Sequence, residues 1–119
     1  MSDRHGEGMR IRREVLGEEH VAAAVAGTTA DTAAFQDLIT RYAWGEIWAR
    51  PGLDRRTRSA ITLMALIALN REHELAMHIR AALRNGLSRE EIATACELTP
   101  DAVRSRIHRA RLDGRPKFP

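Results

Sequence analysis

Residues 60–69 read Ala-Ile-Thr-Leu-Met-Ala-Leu-Ile-Ala-Leu, an apolar run broken only by Thr62. Wound into a helix, such a run is apolar nearly all round, and a helix of that kind belongs at the centre of a bundle or in a subunit interface. It falls well short of the ~20 apolar residues that span a bilayer. The rest of the chain shares its bias: Ala, Leu, Arg and Glu dominate while β-branched and aromatic residues are sparse. Straight-chain residues lose little rotamer freedom in a helix, so this mixture favours helix over strand. No segment shows the strict alternation of a half-buried strand. With 119 residues, 44% hydrophobic and 29% charged, the chain suits one domain of the all-α class, a small helical bundle.

Local signals divide the chain. Residues 1–8 are polar and read as a disordered leader, 9–96 as a helical domain, and 97–119 as a divergent basic C-terminal helix and tail. Gly17 ends a short helix over 9–16, and Gly27-Thr28-Thr29 punctuates a second over 18–26. Over 31–50, Phe35, Leu38, Ile39, Tyr42, Ala43 and Ile47 recur at spacings of three and four and predict an apolar stripe. Pro51-Gly52 stops that helix, and Asp54 is placed to cap the next, which carries the apolar run to about Asn70. A helix over 72–84 closes at Asn85-Gly86. Ser88 and Glu91 form a capping box that opens a helix over 89–96, and Thr99 or Pro100 starts a last one reaching Leu112.

Composition excludes several chemistries. Cys96 is the only cysteine, which rules out an intrachain disulfide, a dithiol redox pair and a cysteine-based zinc cluster. Its position inside a helical segment reads as inert packing. The first eight residues lack the apolar core of a signal peptide, so the expected location is the cytoplasm. The net charge is +3, and the basic excess is almost all arginine, as a GC-rich coding bias would produce.

Glu74 and His78 lie four residues apart, so on a helix they share a face. A carboxylate beside an imidazole raises its pKa and fixes its tautomer, which suits a proton donor near neutral pH. Surface pairs at this spacing also occur without any function. Arg41 and Trp44 lie on the preceding long helix, with Trp48 a turn further on. Arg55, Arg56 and Arg58 crowd a helix start, where the macrodipole disfavours cations. They read either as anion ligands or as solvated charge, and the tryptophans as core or interface anchors.

The run Phe35-Gln36-Asp37-Leu38-Ile39-Thr40-Arg41-Tyr42-Ala43-Trp44-Gly45-Glu46-Ile47-Trp48 resembles the corresponding helix of the carboxymuconolactone decarboxylase family. So do Arg50-Pro51-Gly52-Leu53, Arg55-Arg56-Thr57-Arg58-Ser59, Glu74-Leu75-Ala76-Met77-His78-Ile79-Arg80 and Asn85-Gly86-Leu87-Ser88. The resemblance covers residues 10–95 in order. It implies a helical fold assembled as a homo-oligomer, a trimer or hexamer, that takes a small lactone dicarboxylate as substrate and needs neither cofactor nor metal. The implied reaction converts 4-carboxymuconolactone to 3-oxoadipate enol-lactone and carbon dioxide in protocatechuate breakdown. The expected roles are His78 as proton donor, Glu74 as its orienting partner, Arg41 or Arg58 as substrate clamp, and Trp44 as a pocket wall. The family's peroxidase-type relatives use a CxxC pair near the histidine; here Ala76 and Met77 stand in that region, with no second cysteine.

Past Ala95 the resemblance ends. Residues 86–111, with Arg104 and Arg106, resemble instead the helix-turn-helix of region 4 in extracytoplasmic-function sigma factors. The alternatives are therefore a DNA-binding protein, an inactive relative, or a decarboxylase whose tail has diverged or is read out of frame. The expected partners are the small substrate and other copies of the chain, rather than nucleic acid or membrane.

Overall fold

Asp3 begins the first helix by accepting a hydrogen bond from the Gly6 amide at 2.9 Å, which satisfies one of the donors that a helix start leaves open. The computed structural model describes residues 3–96 and His108. Helix α1 runs Arg4–Leu16, so residues 4–8 are helical where the composition predicted a disordered leader. On its outer face Arg10 pairs with both Glu7 and Glu14, neighbours at helical spacing. Its inner face, Gly8, Ile11, Arg12, Val15 and Leu16, is buried. Gly17, at φ 95°, breaks the rod in a conformation that favours glycine. Helix α2 follows over Glu18–Ala26.

The single helix predicted over 31–50 is instead α3, Ala33–Ile39, continued by a π-helical segment, Thr40–Ile47. The wider winding is completed by Trp48 N–H donating to the Ala43 carbonyl, five residues back, at 2.9 Å. It occurs where α1 presses backbone against backbone. A Cβ on Gly8 would sit 2.0 Å from the Thr40 carbonyl oxygen, and one on Gly45 2.3 Å from that of Arg4. Only glycine permits that approach.

The predicted apolar stripe is displaced accordingly. Gln36, Thr40 and Trp44 are buried, whereas Phe35, Leu38 and Tyr42 are 50%, 55% and 55% exposed. Positions four apart drift by about 40° per step around an α-helix, and more residues per turn reduce that drift. The π segment therefore keeps Gln36, Thr40 and Trp44 on one line beneath α1.

The described chain divides after Gly52 into two compact units. The second begins at α4, Arg55–Ala68, followed by α5, Glu72–Arg84, and α6, Arg89–Ala95. Asp54 caps α4 as predicted, accepting from the Thr57 amide at 2.7 Å. Leu63, Leu75, Ile79, Leu87 and Ile92 form the core of this unit, with Cys96 at its edge as buried packing. Asn85 Nδ2 donates to Ser59 Oγ at 2.8 Å and ties the end of α5 to α4. The predicted capping box opens α6: Ser88 Oγ accepts from the Glu91 amide at 3.0 Å, and Glu91 Oε1 accepts from the Ser88 amide at 3.1 Å.

On α4 only Ser59 and Leu63 are buried; Ile61, Met64 and, just past the helix, Leu69 are 55%, 48% and 71% exposed. Among the described residues no helix is long and apolar enough to cross a membrane. The helix predicted from Thr99 or Pro100 to Leu112 lies outside the described residues, apart from His108, which is helical and exposed.

Two outcomes follow for stability. Gly8→Ala will destabilise the fold by at least about 2 kcal/mol, because the new methyl meets backbone that cannot give way. Gly27→Ala, whose Cβ would have nothing nearer than 3.4 Å, will leave urea unfolding almost unchanged. The Thr57 hydrogen bonds hold the Asp54 carboxyl below its ordinary value of 3.8, so its stabilising effect is full above that pH and lost as pH falls through the lower folded value. Asp54→Asn will therefore lower the melting temperature at pH 6, with the gap to the parent closing below about pH 3.8.

Candidate active site

Helix α5 begins with acids and ends with Arg84, an order the macrodipole favours at both ends. Leu75, Ile79 and Ala82 face the core. Glu74 and His78, four apart on an adjoining strip, are half-buried. Glu74 Oε1 pairs with Arg71 Nε at 3.5 Å, and its side chain is 27% exposed. Arg71 lies between the helices after Asn70, whose φ of 56° makes the sharp turn from α4 to α5. Its amide donates back to the Leu66 carbonyl at 2.8 Å. A pocket of about 210 Å³ opens beside this turn, lined by Leu66, Ile67, Asn70, Arg71, Leu75 and Cys96 among others. It is below the ~300 Å³ at which cavities begin to enclose a substantial ligand. Arg71 connects it to Glu74; the lining includes neither Glu74, His78 nor Arg58.

The arginines at the start of α4 are engaged locally. Arg56 forms an ion pair with Glu91 on α6, and Arg58 Nε donates to the Leu53 carbonyl at 3.2 Å. These contacts offset the cost of placing cations at a helix N-terminus.

Arg41 and Trp44 belong to the N-terminal unit. Arg41 is exposed and pairs with Asp37 at 2.6 Å. Trp44 is 6% exposed and packs on Trp48 with ring centroids 5.2 Å apart and planes tilted by 35°. The structure thus places the predicted site residues in two groups: Arg41 and Trp44 on the π segment, and Arg58, Glu74 and His78 on α4 and α5. Among the described residues no three His, Cys, Asp or Glu side chains cluster as a metal site requires.

The sequence reading overlooked the buried polar group under α1. Arg12 is 6% exposed, and its Nη1 donates to Gln36 Oε1 at 3.0 Å and Thr40 Oγ1 at 3.3 Å. Burial pushes its guanidinium below the ordinary value. The signal was available, because Gly8, Ile11, Arg12 and Val15 follow the i, i+3, i+4, i+7 pattern of one helix face.

Trp44 has the burial of a core side chain. Trp44→Ala will cost about 3–5 kcal/mol in urea unfolding, while Trp48→Phe, at a half-buried position, will cost about 1 kcal/mol or less.

The family model described as "Carboxymuconolactone decarboxylase family" matches residues 33–102, a span that begins at α3 and contains the π segment, α4, α5 and α6. The chain is 47% identical to 4-carboxymuconolactone decarboxylase of Acinetobacter baylyi over 89 residues, covering 75% of this chain and 66% of that protein. It is 45% identical to nitrosuccinic acid decarboxylase npaB of Metarhizium robertsii over 89 residues, covering 75% of this chain and 62% of the relative. It therefore spans slightly less than two thirds of the length of each. The all-helical elements, the ordered motifs from Phe35 to Ile92 and the family match together place this chain in the carboxymuconolactone decarboxylase family.

Proposed function

We propose that the chain is a decarboxylase acting on a lactone dicarboxylate of the 4-carboxymuconolactone type, in the breakdown of protocatechuate. The observation that carries this reading is the 47% identity to a relative of that name, over a family match that includes Glu74 and His78. Both it and the second relative, also named a decarboxylase, favour this chemistry over the helix-turn-helix alternative.

The substrate supplies its own electron sink. The bond from the ring carbon to its carboxylate breaks, carbon dioxide leaves, and the electron pair moves through the ring double bond into the lactone carbonyl. The resulting dienolate is quenched by a proton on the carbon next to that carbonyl. The protein has to hold two carboxylates, stabilise the developing oxyanion and deliver the proton. In this reading His78 donates the proton and Glu74 orients it and supports its charged form. Arg41 or Arg58 clamps a carboxylate, for which a planar guanidinium offers paired donors. Trp44 forms an apolar wall. Either arginine would exchange its present partner, Asp37 or the Leu53 carbonyl, for the substrate.

The exposed Phe35, Leu38 and Tyr42 of the N-terminal unit, and Ile61, Met64 and Leu69 of the second, leave apolar surface that assembly as a homo-oligomer would cover.

The test is a spectrophotometric assay of the full chain with enzymatically generated 4-carboxymuconolactone, beside nitrosuccinate, whose nitro group could serve as a comparable sink. Turnover of the lactone is expected. His78→Gln will slow it at least about tenfold while leaving the far-ultraviolet circular dichroism and elution volume unchanged. Near-parental turnover in that variant removes His78 from the chemistry, and absence of lactone turnover in the parent overturns the assignment.

A further inference from the structure

A positive charge is buried in the N-terminal unit without a counter-charge. Arg12 and Gln36 are 6% and 7% exposed. Arg12 Nη1 takes the Gln36 and Thr40 side-chain oxygens as acceptors, and that leaves two buried nitrogens, Arg12 Nε and Gln36 Nε2, with no partner. Gln36 cannot relieve the shortage. With its oxygen turned to Arg12, its amide nitrogen adds donors to a site already rich in them. The cluster therefore lacks an acceptor, and its net charge calls for an anionic one.

The carboxylates on the helices that meet at Arg12 are committed elsewhere. Helix α1, α3 and the π segment carry four acids. Glu7 and Glu14 pair with Arg10, Asp37 with Arg41 and His5, and Glu46 with Arg4 and Arg50. All four lie on exposed cations, and none reaches Arg12. Burying a guanidinium without a paired anion is costly, and unsatisfied donors at low dielectric add to that cost. A polar strut between α1 and α3 needs no charge; a site for an anion does. A carboxylate fits, since it is acceptor-only and its two oxygens can serve adjacent donors.

We infer that Arg12 and Gln36 form a binding subsite in the N-terminal unit for the carboxylate of a small organic acid. Trp44 lies on the same buried line as Gln36 and Thr40 and supplies apolar surface along it.

The experiment is thermal unfolding of the full chain with succinate as the probe, against sodium chloride at equal ionic strength, in the parent, Arg12→Met and Gln36→Leu. Binding to the folded state raises the melting temperature, and a rise of about 3 °C or more is expected in the parent near saturation. Arg12→Met abolishes the rise and Gln36→Leu at least halves it. If Arg12→Met does not fold, Gln36→Leu decides. No rise in the parent, or an undiminished rise in Gln36→Leu, overturns the subsite. An Arg12-dependent rise in a protein that fails to turn over the lactone sinks the decarboxylase reading alone. Turnover without any rise sinks the subsite alone.

Discussion

The contact of Gly8 and Gly45 against opposing backbone governs the N-terminal unit. With no Cβ at either position, α1 approaches the π segment until main chain meets main chain. Gln36, Thr40 and Trp44 lie along that line of contact, while Phe35, Leu38 and Tyr42 are turned to the exposed side. The same approach carries Arg12, one turn beyond Gly8, out of water and onto Gln36 and Thr40. A buried cation, a π-helical winding and an outward apolar face thus have a common origin in two glycines. The second unit is organised differently, by ordinary interdigitation of Leu63, Ile79 and Ile92.

Features set by short-range chemistry were legible in the sequence. The Asp54 cap, the Ser88–Glu91 box, the stop at Asn85-Gly86 and the extent of α5 each depend on residues within a turn of one another, and the structure has them where the residues predict. What the sequence misplaced depends on distant residues. Helix through residues 4–8 is supported by Arg4 reaching Glu46 at 3.0 Å, a pairing that local composition cannot announce. The stripe over 31–50 was misread because apolar periodicity identifies the face that avoids water without saying what covers it. In this chain α1 covers the polar line, and the apolar face is left outside it.

The same division applies to the candidate site. Glu74 and His78 are legible as a pair because helical spacing alone puts them on one face. Arg12 was hidden among 18 arginines; of the described ones, Arg4, Arg10, Arg41, Arg50, Arg56 and Arg71 pair with acids. Residue type does not separate it from Arg10, which is solvated and held by Glu7 and Glu14. The difference is that Arg12 sits in register with Gly8 and Ile11, and burial rather than residue type sets it apart.

That difference bears on how a decarboxylase should distribute its cations. A guanidinium on the carboxylate that departs stabilises the anion before the bond breaks and loses its grip as carbon dioxide forms, so it opposes the reaction. On the carboxylate that stays, the same contact is equally strong before and during bond cleavage. It tightens binding without raising the barrier, and its removal raises KM while leaving kcat largely intact. An arginine assigned to the retained carboxylate therefore gains from being fixed, dry and free of a competing acid. Arg41 has Asp37 to release before it could act as a clamp. Arg12 has no carboxylate to release. Its Nε is already desolvated without an acceptor, so much of the cost of ordering the site is met during folding, before any ligand arrives.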